Sequence, residues 1–145
     1  MTELAGEAPQ VPVSKPSVLL VDDDEFCRWA VSSKLTLLGA EVHEARDGAE
    51  AYDKLCNRPF NLAIIDLDMP VMDGFDLIAC IRGTPGIRHM PAVVLTLNDE
   101  REMIEKALVA GATSFLVKPL NWAVFGAHIE HLLRLTDRYS APALV

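Results

Sequence analysis

Short apolar runs alternate with helical patterns five times along this chain. Ser17-Val18-Leu19-Leu20-Val21, Leu62-Ala63-Ile64-Ile65 and Ala92-Val93-Val94-Leu95-Thr96 are apolar at nearly every position. A strand with one wet face alternates, whereas a short continuous run bounded by turn residues reads as a strand buried on both faces. Glu41 to Ala45 and Ser114-Phe115-Leu116-Val117 supply two further strands. The stretches between them carry helical spacing. Phe26, Ala30, Leu35 and Leu38 mark a helix from Phe26 to Leu38, and Gly39 closes it. Asp47 caps a second helix through about Cys56, with Ala51, Tyr52 and Leu55 inward, and Arg58-Pro59 ends it. Leu77, Ile78 and Ile81 face inward on a third, from Phe75 to Arg82, which Gly83-Thr84-Pro85-Gly86 breaks. Asn98 or Asp99 caps a fourth that runs to about Ala110, with Gly111 after it. The last runs from about Asn121 to Leu135, with Trp122, Phe125, Ile129 and Leu132 on one face.

Strands alternating with helices form parallel βαβ units, and right-handed crossovers place helices on both faces of one sheet. The expected fold is α/β: a doubly wound five-stranded parallel sheet in the flavodoxin-like order 2-1-3-4-5. The chain has 145 residues, which suits one domain. Residues 1–16 carry Pro9, Pro12 and Pro16 with few large apolar groups and read as a disordered tail. Residues 17–136 form the domain, and residues 137–145 read as a tail or linker. The net charge is -8, which argues against a nucleic-acid-binding surface. No apolar run approaches the roughly 18 residues of a membrane span, and no signal peptide opens the chain. Cys27, Cys56 and Cys80 are odd in number and lack metal-site spacing. They read as reduced packing residues of a cytoplasmic protein.

The ends of the strands carry the chemistry. The first ends in Asp22-Asp23-Asp24-Glu25, where Asp24 and Glu25 suit a helix N-terminus and Asp22 and Asp23 precede it. The third ends in Asp66, followed by Leu67-Asp68-Met69-Pro70-Val71-Met72-Asp73-Gly74, so the chain turns away at once. Alone, Asp66 suits a metal ligand, a general base, a nucleophile or a turn cap. The fourth strand ends in Thr96 and the fifth in Lys118-Pro119. All parallel strands point one way, so these tips share one rim, where open α/β sheets bind ligands. Crowded carboxylates need a proton or a cation, and oxygen ligands without His or Cys favour a hard ion, Mg²⁺ or Mn²⁺. Thr96 and Lys118 suit the oxygens of a phosphate. The set is equipment for phosphoryl transfer to a carboxylate.

These residues resemble the response-regulator receiver domain of two-component signalling, over about Ser17 to Leu135. The resemblance implies that Asp66 is the phosphoacceptor. It implies that Asp22, Asp23, Asp66 and the backbone carbonyl of Asp68 hold Mg²⁺. Thr96 and Lys118 resemble the switch hydroxyl and the phosphate-binding lysine, Lys118-Pro119 a cis bond, and Phe115 the switch aromatic. The donor is then a histidine kinase or a histidine phosphotransfer protein. The helix 4, strand 5, helix 5 face is the output. The domain supports only its own phosphorylation and dephosphorylation and is not an enzyme acting on other substrates.

Two positions depart from the pattern. Leu97 stands where such domains place a small residue, and it either narrows access to Asp66 or packs aside. Asp68 adds a carboxylate at a position that varies in the family. Together they predict slow hydrolysis of the phosphorylated form. The segment from Lys118 through Arg134 resembles receivers placed ahead of diguanylate cyclase domains. The chain is then either a piece of a larger regulator with such an output domain or a stand-alone receiver, and a homodimer is compatible with both. Trp122 reads as a packing or interface anchor. His128 and His131 read as a solvated face rather than a metal pair. Two other readings stand beside this one. One is a receiver-like binding module that is never phosphorylated. The other is a haloacid-dehalogenase-type phosphatase, since Asp66-Leu67-Asp68 resembles its DxD motif, although that family places the motif on its first strand.

Overall fold

Five strands follow the five predicted runs in the computed structural model, which describes residues 15–69, 72–97 and 101–143. They are β1 (Ser17–Val21), β2 (Glu41–Ala45), β3 (Leu62–Asp66), β4 (Ala92–Thr96) and β5 (Ser114–Val117). All pair in parallel, in the order β2-β1-β3-β4-β5. The helices are α1 (Glu25–Leu37), α2 (Gly48–Asn57), α3 (Gly74–Arg82), α4 (Arg101–Ala110) and α5 (Trp122–Ala143). The doubly wound, flavodoxin-like sheet is therefore the observed fold.

The period of two along each strand divides the interior into two cores. Leu19, Val21, Ala63, Ile65, Ala92 and Val94 face one way and meet Leu55 of α2, Ile78 of α3 and Ala107 of α4. Val18, Leu20, Leu62, Ile64, Val93 and Leu95 face the other way and meet Leu35 of α1 and Phe125 and Ile129 of α5. Both faces of β1, β3 and β4 are dry, which is why those runs show no alternation. Each valine, leucine or isoleucine among them contributes about 1.5–3 kcal/mol on burial.

Polar side chains start the helices where the sequence places them. Asp24 accepts from the amides of Phe26 and Cys27, Asp47 from Glu50, and Asp73 from Asp76. Asn121 Oδ1 accepts from Ala123 and Val124 at 3.0 and 3.1 Å. Each cap satisfies amides that the helix leaves open, worth about 1 kcal/mol.

Three expectations need correction. Phe26 is 72% exposed, and the inner stripe of α1 is Val31 and Leu35. Four residues before Val31 comes Cys27, so Phe26 sits about 100° off the stripe. Cys56 is exposed rather than packed, because the neighbouring Leu55 takes the inward position. The last helix does not stop at Leu135 but continues to Ala143, since Leu132, Leu133 and Thr136 carry its buried face onward. The fifth strand is half-buried along its length, as befits a sheet edge. Residues 1–14 of the expected tail, Pro70, Val71 and the expected caps Asn98 and Asp99 lie outside the described residues, as do Leu144 and Val145. Among the described residues no helix is long and apolar enough to cross a membrane.

Candidate functional site at the carboxyl rim of the sheet

β1 and β3 are neighbours, yet the chain leaves β1 toward α1 on one face and β3 toward α3 on the other. That divergence opens a crevice at their carboxyl ends. Asp22 follows β1 directly, and its amide donates to Ala45 O at 3.1 Å. Asp66 closes β3. Both residues are buried, at 0% and 6% relative exposure, while Asp23 is exposed. The carboxylate oxygens of Asp22, Asp23 and Asp66 lie within 4.8 Å of one another.

Lys118, just after β5, reaches across the rim. Its Nζ donates to Asp22 Oδ2 at 3.1 Å and stands 3.7 Å from Asp66 Oδ1. The Lys118-Pro119 bond is cis, as the resemblance implies. Thr96 is buried at the end of β4, and its carbonyl accepts from the Lys118 amide at 2.8 Å. Phe115 is half-buried against the core on the α2–α4 side. The rim thus brings together all five residues expected at the strand tips.

The return loop is held close to β3. The Gly74 amide donates to Leu67 O at 3.1 Å, and a Cβ at Gly74 would lie 2.8 Å from both Asp66 O and Leu67 Cα. Only glycine allows that approach without a shift of the backbone. The Asp68 amide makes a long contact, 3.4 Å, to Asp66 Oδ1, while its side chain is exposed. Leu97 follows Thr96 at the rim and is 72% exposed.

Burial raises the Asp66 carboxyl, and the charge of Asp22 raises it further, to about 7, against the lowering effect of Lys118. Burial works against the Lys118 ammonium, but Asp66 and Asp22 outweigh it and raise its pKa overall. Two nearby carboxylates with one ammonium leave an excess of negative charge, and the donors are all oxygen. A hard divalent cation fits that set.

Arg28 carries no reading in the sequence and Cys27 reads there only as a packing residue, yet both sit at the rim. Arg28 donates through Nη1 to Asp22 O at 2.8 Å and pairs through Nε with Glu44 at 2.9 Å, tying α1 to β1 and β2. Cys27 lies beside Lys118, and burial pushes its thiol up. An arginine or cysteine in a first helical turn carries no distinguishing signal, so neither was legible. Away from the rim, His128 is not on a solvated face: its Nε2 lies 2.7 Å from Ser114 Oγ of β5. Burial lowers its pKa, with His131 adding to the effect. Trp122 sits edge-on to Phe125 at 5.6 Å and stays 40% exposed.

This sheet order with an acidic cluster and a lysine at its switch point defines a flavodoxin-like α/β domain with a cation-competent carboxyl rim. Residues 18–130 match the response regulator receiver domain. The chain is 37% identical over 116 residues to the gliding motility regulatory protein of Myxococcus xanthus, covering 79% of this chain and 15% of that protein. It is 33% identical over 122 residues to the chemotaxis protein CheY1 of Helicobacter pylori strain 26695, covering 83% of this chain and 98% of that one. The solved structure of Vibrio cholerae chemotaxis protein CheY4 superposes with a TM-score of 0.77 at 34% identity, covering 81% and 98% of the two chains. The chain belongs to the response regulator receiver domain family of two-component systems. Receiver domains are phosphoacceptor switches that pair with histidine kinases and output domains and bind Mg²⁺ at an acidic pocket. Family membership leaves the phosphatase reading without support.

Proposed function

We propose that this domain accepts a phosphoryl group on Asp66 from a phosphohistidine of a histidine kinase or histidine phosphotransfer protein. One observation carries the reading. Asp66 is a carboxylate at the switch point whose burial, with Asp22 beside it, raises its pKa to about 7, and the Lys118 ammonium stands 3.7 Å away. An Asp66 oxygen attacks phosphorus, the P–N bond breaks, and the imidazole leaves with the electron pair and takes up a proton. An acyl phosphate remains. Asp22, Asp23, Asp66 and the backbone carbonyl of Asp68 would hold Mg²⁺ (or Mn²⁺), which would supply positive charge against the acids and the phosphoryl oxygens.

Lys118 then serves as a fixed positive charge for a phosphoryl oxygen, already desolvated and aimed. Thr96 offers its hydroxyl to another oxygen, and Phe115 turns inward as Thr96 moves. That changes the face of α4, β5 and α5, where Val109, Trp122 and Val124 are exposed to partners. On the entry side, Phe26 and Trp29 stand 72% and 64% exposed, 5.9 Å apart, on the helix that leaves Asp24. Exposed aromatics on the helix that starts from the rim suit the docking of a donor. Leu97 and Asp68 shield the product from water.

The test is transfer from a phosphorylated histidine kinase, followed by gel autoradiography. Label should move to the wild-type chain with Mg²⁺ and not with EDTA or in Asp66→Ala. Label on Asp66→Ala would overturn the assignment. No transfer to a folded wild-type chain from any phosphohistidine donor would favour a binding module.

A further inference from the structure

At the opposite end of the sheet lies a groove of about 1130 Å³. Its floor is the chain entering β3 and β4, including Phe60, Asn61, Met90 and Pro91, and one wall is Leu132 and Leu135 of α5. The lining is mainly apolar. Its basic members are Arg88 and His89, both exposed, and among the described residues no acidic one lines it.

The chain enters the domain at the edge of this groove. The Ser17 amide donates to Asn61 Oδ1 at 2.8 Å, and the Asn61 amide donates to Ser17 O at 2.8 Å. Asn61 itself lines the groove. Residues 1–14 hold Glu3 and Glu7 and no Lys, Arg or His, with Leu4, Val11 and Val13 as apolar groups. Val13 precedes Ser17 by four positions, a reach of about 13 Å, and Glu7 by ten, about 33 Å. Pro9, Pro12 and Pro16 favour an extended chain, which lowers the entropy cost of laying it into a groove.

We propose that the amino-terminal segment, residues 4–13, occupies this groove, with Val11 and Val13 on its apolar floor and Glu7 against Arg88. The segment then pins the carboxyl-terminal half of α5 to the loops before β3 and β4. It is an internal partner at the end of the domain remote from Asp66, and the inference is independent of phosphorylation.

Hydrogen exchange of the full chain, read by mass spectrometry, tests it. The amides of Gln10, Val11, Val13 and Ser14 should exchange about tenfold more slowly than in a free peptide of the same sequence. Arg88→Glu or Glu7→Arg alone should remove most of that protection, and the two together should restore it. Arg88 is exposed, so neither change threatens folding, and a thermal melt of each variant checks this. Exchange at the free-peptide rate in the wild type would overturn the proposal. So would protection of residues 86–91 and 132–136 that rises with protein concentration while the segment stays unprotected, since a second copy would then fill the groove.

Discussion

Lys118 bonds to Asp22, 96 residues away in the chain, at 3.1 Å, and the same ammonium stands 3.7 Å from Asp66. One cation thus serves two carboxylates. Its loss has a definite sign. Lys118 holds the Asp66 carboxyl down against burial and against Asp22. Lys118→Met therefore moves Asp66 above about 7, readable by carbon-detected NMR titration. It also slows phosphorylation by about 10²-fold, the usual cost of removing one fixed charge from a phosphoryl site.

The raised carboxyl also makes the cation-free domain sensitive to pH. Asp66 titrates at about 7 in the fold against an ordinary 3.8. Between those values the native state keeps a proton that the unfolded chain has released. Stability therefore falls as pH rises through that window and levels off above it. At pH 8 without divalent ions, Asp66→Asn should be more stable than wild type by about 1–3 kcal/mol after discounting for solvent screening. The gap should close near pH 4, and Mg²⁺ should narrow it at pH 8 by binding the native wild type. Urea melts at the two pH values check this.

Leu97 is bulky and exposed beside the rim. Leu97→Ala should shorten the lifetime of the phosphorylated form by about threefold or more by admitting water. The decay of the phosphorylated chain measures it, and an unchanged lifetime removes Leu97 as a gate.

The aromatic pair on α1 separates docking from chemistry. Phe26→Ala with Trp29→Ala should slow transfer from a kinase by about tenfold or more, as loss of exposed anchors does. Phosphorylation by acetyl phosphate should be unchanged, because that donor needs no docking. Equal losses with both donors would place the pair in the site's own structure instead.

What was legible in the sequence follows from what each signal measures. The bounds of β4 are those of Ala92 to Thr96, because a run dry on both faces ends where the first buried polar group begins. The rim was legible for the same reason: Asp22, Asp66 and Thr96 each end such a run, and parallel strands align their ends. Phe26 misled because hydrophobicity predicts burial only on the inward stripe, and Cys27 occupies it. His128 misled because its partner Ser114 lies on another element, which periodicity along one helix does not report. Arg82 escaped notice for a similar reason. Its guanidinium donates to Arg88 O and Met90 O in the loop before β4 and to Gly111 O, 29 residues away, joining the end of α3 to the segments that enter β4 and β5.

The most direct measurement is the intact mass of the full chain after incubation with acetyl phosphate. The account predicts a single phosphoryl adduct that requires Mg²⁺, is lost on treatment with hydroxylamine, and is absent from Asp66→Ala. An adduct that persists in a folded Asp66→Ala chain, or a folded wild-type chain that gains none with Mg²⁺ present, would contradict it.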